Sequence, residues 1–281
     1  MEQLHPLQYE ELIKNEIRAD IGFAGDLTTS FFVPADRNIS SSITPRQEGV
    51  LAGIDIALFA FRVVSSEIVF EKHLEDGSPV KAGDRVATVS GPARAILTAE
   101  RTALNVLTHL CGIATMTNRM VKAVEGTRAR ITDTRKTLPG LRALQKYAVR
   151  CGGGVNHRFG LDGAVMIKDN HLAGFASWEE GILALKKKLG HTVKVEVEVD
   201  TLEQLKRLIG LPVDIVLLDN MTPDQLREAV QLVDRRMITE ASGNVSLETV
   251  RGIAEAGVDI ISSGALTHSV QALDLGLDFH S

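Results

Sequence analysis

Between Thr134 and Lys168 the chain gathers Arg135, Lys136, Arg142, Lys146, Arg150, Arg158 and Lys168, with one histidine, His157, and a single acid, Asp162. The 281-residue chain as a whole is acidic, 31 Lys+Arg against 36 Asp+Glu, so this concentration of cations needs a local reason. Arginine forks onto a carboxylate or phosphate through two hydrogen bonds, and lysine adds a compact point charge. A pocket with both suits a ligand that carries carboxylates and phosphates together. Arg142, Lys146 and Arg150 lie four apart and read as one solvated helical stripe. Arg135 and Lys136 (after Thr134), Arg158 and Lys168 fall instead at strand ends or beside Gly152-Gly153-Gly154, and read as anion ligands. The glycine turn is either a flexible loop or a backbone cradle for an anion. His157 is either structural or a ligand donor.

Acids complete the set. In VKVEVEV, valines alternate with Lys194, Glu196 and Glu198. If the valines face helices, the glutamates face a lumen and need a cation there: Lys168, Lys194 or a metal. Asp219 ends the apolar run IVLLD. An Asp/Glu pair opposite a cationic cluster can hold Mg2+ or stabilise a cationic transition state. Ser242-Gly243-Asn244 and Ser263-Gly264-Ala265 each follow a strand. They are ordinary tight turns or the phosphate-binding turns of a βα barrel.

These residues need elements to bring them together. Residues 7–21 read as a helix, with Leu12, Ile13, Ile17 and Ile21 on one face and Gly22 at its end. From about 38 to 97 the segments SSSIT, SEIVFEKHL, DRVATV and ARAIL read as short strands, and a long helix starts at Thr98. Beyond it, helices signalled by capping patterns at Ser177, Thr201 and Thr222, with another starting at Ser246, alternate with apolar β runs. Strand–helix repetition implies right-handed βαβ units and a parallel sheet. No GxGxxG follows a strand, so an incomplete barrel of the TIM kind is favoured over an open doubly wound sheet. The expected class is α/β, with an N-terminal α/β sandwich domain over 1–108 and a barrel domain over 109–269. The tail 270–281 is expected to pack back on the first. Since barrel sites lie at the C-terminal ends of strands, the scattered polar residues are expected at one mouth.

The mild net charge of −5 argues against a general nucleic-acid binder. No apolar run is long enough to span a bilayer, and MEQLHPLQYEEL does not resemble a signal peptide. Cys111 and Cys151 fit no zinc spacing, and a reduced, cytoplasmic setting is expected.

The string TDTRKTLPGLRALQKYAVRCGGGVNHRFGL with MIKDNH is similar to the core motif of the quinolinate phosphoribosyltransferase family. GDLTT, AERTALN, VEVEV, LLDN, EASGN and SSGALTHS match it in order, over nearly the whole chain; Leu138 stands where a second Thr is common. The resemblance implies an incomplete, seven-stranded barrel, and a homodimer or larger assembly of dimers with shared active sites. It implies transfer of phosphoribosyl from phosphoribosyl pyrophosphate to quinolinate, with decarboxylation, and Mg2+ as cofactor. It further implies that Arg135, Lys136, Arg158 and Lys168 contact substrate beside Thr134 and His157. Glu198 and Asp219 would lie around ribose and metal, and the Ser242–Asn244 and Ser263–Ala265 turns would take phosphate. Lys136, Glu198 and Asp219 would be the catalytic groups, and Arg101 would reach the quinolinate of the neighbouring subunit. Two alternatives remain: a relative found with molybdate transporters and acting on another nitrogen base, and a non-catalytic anion- or RNA-binding module.

Overall fold

The computed structural model of the chain describes residues 3–172 and 177–279. It divides into two compact units. The first takes the described residues up to Asn118, Thr137–Gly153, and those from Ser269 onward. The second takes Arg119–Lys136 and Gly154–His268. The division does not follow the linear boundary near 108, because the chain leaves the barrel unit and returns to it.

In the first unit, α1 (Glu10–Ile21) buries Ile13 and Ile17 and ends at Gly22, whose φ of 58° suits glycine. Asp26 caps α2 (Leu27–Phe32), its Oδ1 accepting the Thr29 N–H at 2.9 Å. The main sheet contains β1 (Asn38–Pro45), β3 (Val69–Lys72), β5 (Ala87–Pro92) and β12 (Leu275–Phe279) in the antiparallel order β12-β1-β5-β3. Ile43 of β1 sits opposite both Leu277 and Ala87. Strands β2 (Gly49–Val50) and β4 (Pro79–Val80) form a separate pair, and α3 (Ile54–Val64) buries Ile54, Ala57 and Phe61. The long helix α4 is Ala93–Ala123, so ARAIL is its first turn and not a strand. Its alanines favour helix, and Ala93, Ile96, Ala99, Ala103 and Leu107 bury one face at helical spacing.

Helix α5 (Arg142–Cys151) also belongs to the first unit, and it overturns the solvated-stripe reading. Leu144, Gln145, Lys146 and Tyr147 are all buried, Lys146 to 3% exposure, so neighbouring structure covers the polar face as well. Tyr147 donates to Asp76 Oδ2 at 2.6 Å, and Asp76 also accepts the N–H groups of Gly53 and Ile54. The glycine turn has a packing explanation. A Cβ on Gly152 would lie 2.4 Å from the Ala114 carbonyl oxygen of α4, and Gly153 has a φ of 90°.

The second unit is a parallel sheet of β6 (Arg130–Thr132), β7 (Val165–Ile167), β8 (Val195–Val199), β9 (Ile215–Asp219), β10 (Ile238–Ser242) and β11 (Ile260–Ser262), ordered β6-β11-β10-β9-β8-β7. On the side of β6 opposite β11, Val155 makes a parallel bridge to Thr132 and stands in for a seventh strand without forming one. Connecting helices are α6 (Asp169–Leu172), α7 (Trp178–Lys188), α8 (Leu202–Leu208), α9 (Pro223–Val233), α10 (Val250–Glu255) and α11 (Ala265–His268). Thr201 and Thr222 form complete capping boxes with Gln204 and Gln225, and Ser177 accepts the Glu180 N–H. Ser246 does not start a helix; α10 begins at Val250 without a side-chain cap, and the flanking Thr249 turns its Oγ1 back to accept the Ser246 N–H. No helix among the described residues is long and apolar enough to cross a membrane.

Candidate functional site at the barrel mouth

Parallel pairing carries side-chain parity from strand to strand. Met166 stands opposite Glu196, Glu198 opposite Leu217, Leu217 opposite Glu240, and Asp219 opposite Ser242. Alternate residues share a face, so these side chains point one way and the intervening valines the other. Val195, Val197 and Val199 are buried as the lumen reading requires.

The result is a cavity of about 620 Å³ within the second unit. It is lined by Thr134, Arg135, Lys136, His157, Arg158, Lys168, Glu198 and Asp219, and by both turns, Ser242-Gly243-Asn244 and Ser263-Gly264-Ala265. Every candidate residue is there except Arg101. Arg101 lies on α4, exposed, donates to Asn105 Oδ1 at 3.1 Å, and lines a separate cavity of about 670 Å³ with Glu16, Asp20 and His109.

Charges at the mouth are arranged in opposition. Lys168 forms an ion pair with Glu198, which answers the question of the lumen glutamate's cation. Lys194 plays no such part: it pairs with Asp214 at 3.2 Å, at the opposite ends of the strands. Burial, and then the positive charge of Arg135, pull the Arg158 guanidinium below its ordinary pKa, while Glu196 opposes them. Two arginines thus converge where an anion would relieve their repulsion. Arg158 is steadied by donating to the Ala164 carbonyl at 2.8 Å.

The turns are built by close approach. Gly243 has a φ of 92° and Asn244 a φ of 51°, both left-handed, and a Cβ on Gly243 would meet Asn220 Oδ1 at 2.1 Å. A Cβ on Gly264 would lie 2.8 Å from Lys136 Cδ and 3.1 Å from His268 Nε2. Lys136 is held by its neighbours, its carbonyl accepting from Thr267 Oγ1 at 2.7 Å and its N–H donating to Thr134 Oγ1 at 3.0 Å.

The sequence reading missed Met166, Leu217, Glu240, Ser262 and His268, all of which line the cavity. Glu240 is the most consequential. It is 4% exposed, and with Glu196 at 1% it places two acids beneath His157. His157 Nε2 lies 3.2 Å from Glu196 Oε2 and 3.7 Å from Glu240 Oε1. Burial and the charge of Glu196 raise the Glu240 carboxyl from 4.5 to about 7. A signal was available: Met166, Leu217, Glu240 and Ser262 each stand two residues before a recognised mouth residue, and so share its face.

Glu198 and Asp219 offer hard oxygen donors on adjacent strands. This suits Mg2+, which commonly takes one or two carboxylates and completes its shell with water and substrate phosphate. His157, Glu196 and Glu240 also hold donor atoms within 4.8 Å of one another.

Residues 113–278 match the family Quinolinate phosphoribosyl transferase, C-terminal domain, and residues 26–111 its N-terminal domain. The chain is 46% identical over 275 residues to a nicotinate-nucleotide pyrophosphorylase [carboxylating] of Mycobacterium leprae, covering 95% of this chain and 96% of that one. It is 40% identical to a probable enzyme of the same name from Bacillus subtilis, covering 98% and 94%. The crystal structure of NadC from Streptococcus pyogenes superposes with a TM-score of 0.94 at 37% identity, over 100% of both chains. Site geometry and family match agree: this chain belongs to the quinolinate phosphoribosyltransferase family.

Proposed function

We propose that the barrel-mouth cavity is where this chain transfers phosphoribosyl from phosphoribosyl pyrophosphate to quinolinate, releasing pyrophosphate and carbon dioxide and leaving nicotinate mononucleotide, a step of NAD biosynthesis. The observation that carries this is the convergence of cations, acids and glycine turns from six strand ends on one cavity. Arg135, Lys136, Arg158 and Lys168 neutralise the two ring carboxylates and the pyrophosphate. The turns at 242–244 and 263–265 take the ribose phosphate. As pyrophosphate departs, positive charge develops on the ribose, and Glu198 and Asp219 stabilise it electrostatically. The pyridine nitrogen attacks the ribose carbon and becomes cationic. Loss of the adjacent carboxylate leaves an electron pair beside that charge, and the ring carbon then takes a proton. No covalent nucleophile is needed, so catalysis is positioning and neutralisation. Mg2+, held by Glu198 and Asp219, would neutralise the departing pyrophosphate.

The acids favour an enzyme over a pure anion- or RNA-binding module, which gains nothing from Glu198 and Asp219. The proposal includes a homodimer, or an assembly of dimers, in which Arg101 enters the neighbouring copy's site. Exposed Phe23, Phe31 and Phe32 in the first unit supply apolar surface for such a contact. It also includes a cytoplasmic location, suited to the buried free thiols of Cys111 and Cys151. The test is incubation with quinolinate and phosphoribosyl pyrophosphate, measuring pyrophosphate and nicotinate mononucleotide, with nicotinate as the comparison base. Stoichiometric products from quinolinate and poor turnover of nicotinate are expected. Comparable turnover of nicotinate would defeat the assignment of the cations to two carboxylates.

A further inference from the structure

The group beneath the mouth, His157 with Glu196 and Glu240, is not used by the chemistry above. Its hydrogen bonding is directional. His157 Nδ1 accepts the backbone N–H of Arg158 at 2.8 Å, so Nδ1 carries a lone pair and the ring proton sits on Nε2, facing Glu196. Ligation of a metal through Nε2 would need the reverse tautomer, so the three donor atoms do not form a metal centre through that nitrogen. The backbone N–H of His157 in turn donates to Asp133 Oδ1 at 3.0 Å, and Asp133 is fully buried. The segment that stands in for a seventh strand is therefore tied down at His157 through backbone and ring. The next residue is Arg158, whose Nε is buried with no hydrogen-bond partner among the described residues.

We propose that Glu196 is a positioning residue: by accepting the His157 Nε2–H it fixes the ring's tautomer and plane, and through the Arg158 N–H it aims the Arg158 guanidinium at the carboxylates of quinolinate. The segment so organised borders β6 on the side opposite β11, so β6 stands between it and the turn after β11, one of the two turns that face the ribose phosphate. Loss of Glu196 therefore acts chiefly on quinolinate. The inference rests on the proposed function of the cavity. Wild-type protein inert toward quinolinate would sink that function, whereas active wild type with an indifferent variant sinks only the role of Glu196.

The experiment compares Glu196→Ala with Glu196→Gln, whose amide oxygen still accepts the Nε2–H. Steady-state kinetics is read for both substrates, and the His157 ring is read by nitrogen-15 NMR. For Glu196→Ala the KM for quinolinate should rise about tenfold or more, with the KM for phosphoribosyl pyrophosphate within about twofold. Glu196→Gln should keep the Nε2–H tautomer and stay within about threefold of wild type in both constants. Equal rises for both substrates, or none, in Glu196→Ala would overturn the proposal. If Glu196→Ala does not fold, Glu196→Gln decides alone: a retained tautomer with a tenfold-raised quinolinate KM overturns it, and near-normal kinetics supports it. Purified wild type holding one equivalent of divalent metal that Glu196→Gln loses would also overturn it.

Discussion

Glu240→Gln should raise stability at alkaline pH and flatten its pH dependence. In the folded chain Glu240 titrates near 7 against an ordinary 4.5, because it is buried beside Glu196. An acid whose pKa is raised on folding binds more protons in the folded state, so its contribution is present at low pH and is lost as pH climbs through the folded value. The shift corresponds to about 3 kcal/mol in all, of which some 2–3 kcal/mol should disappear between pH 5 and pH 8. Glutamine removes that titration and offers N–H groups to the Glu196 carboxylate. For a chain of this size the difference amounts to roughly 5–10 °C in Tm. Thermal unfolding of wild type and variant is followed across that range. The two curves should meet or cross near pH 5 and diverge above pH 7, with the variant melting higher. Parallel curves would refute the reasoning, since they would mean that Glu240 is not a strained acid.

Gly243→Ala places a left-handed alanine in the turn, costing about 1–2 kcal/mol, and displaces Asn220. Its KM for phosphoribosyl pyrophosphate should rise about tenfold, with a smaller change for quinolinate; unchanged constants would remove this turn from the phosphate site. Mixing inactive Arg101→Ala with inactive Lys168→Ala, under subunit exchange, should restore activity toward about a quarter of wild type, because half the dimers then hold one intact site. No recovery despite demonstrated exchange would confine Arg101 to its own chain or remove it from the site.

The strand–helix rhythm and the mouth residues were legible because both follow local rules. Valine alternation places the β8 glutamates, Thr201 and Thr222 announce their helices by side-chain capping, and strand ends mark a barrel's mouth. What was not legible depends on partners distant in sequence. Lys146 is spaced as a surface residue, yet folding buries it to 3% exposure. ARAIL carries enough β-branched and apolar character to read as a strand until the length of α4 is known. Glu240 sits in a short run, RMITEA, where an acid looks incidental; its place two residues before Ser242 signals its face, but its nearness to Glu196 follows only from the register of β10 on β9 and β9 on β8.

The three-piece make-up of the first unit has a consequence for biosynthesis. Strand β1 lies between β5 and β12, and β12 leaves the ribosome only after the entire barrel has been made. Until then one edge of β1 is an open row of N–H and C=O groups, which invites pairing with another nascent chain. Helix α5, whose Tyr147 closes onto Asp76, arrives late as well, from between two barrel strands. The N-terminal stretch therefore cannot mature as an independent early domain. Its completion waits on the barrel, and a deletion confined to β12 would injure a sheet begun at the other end of the message.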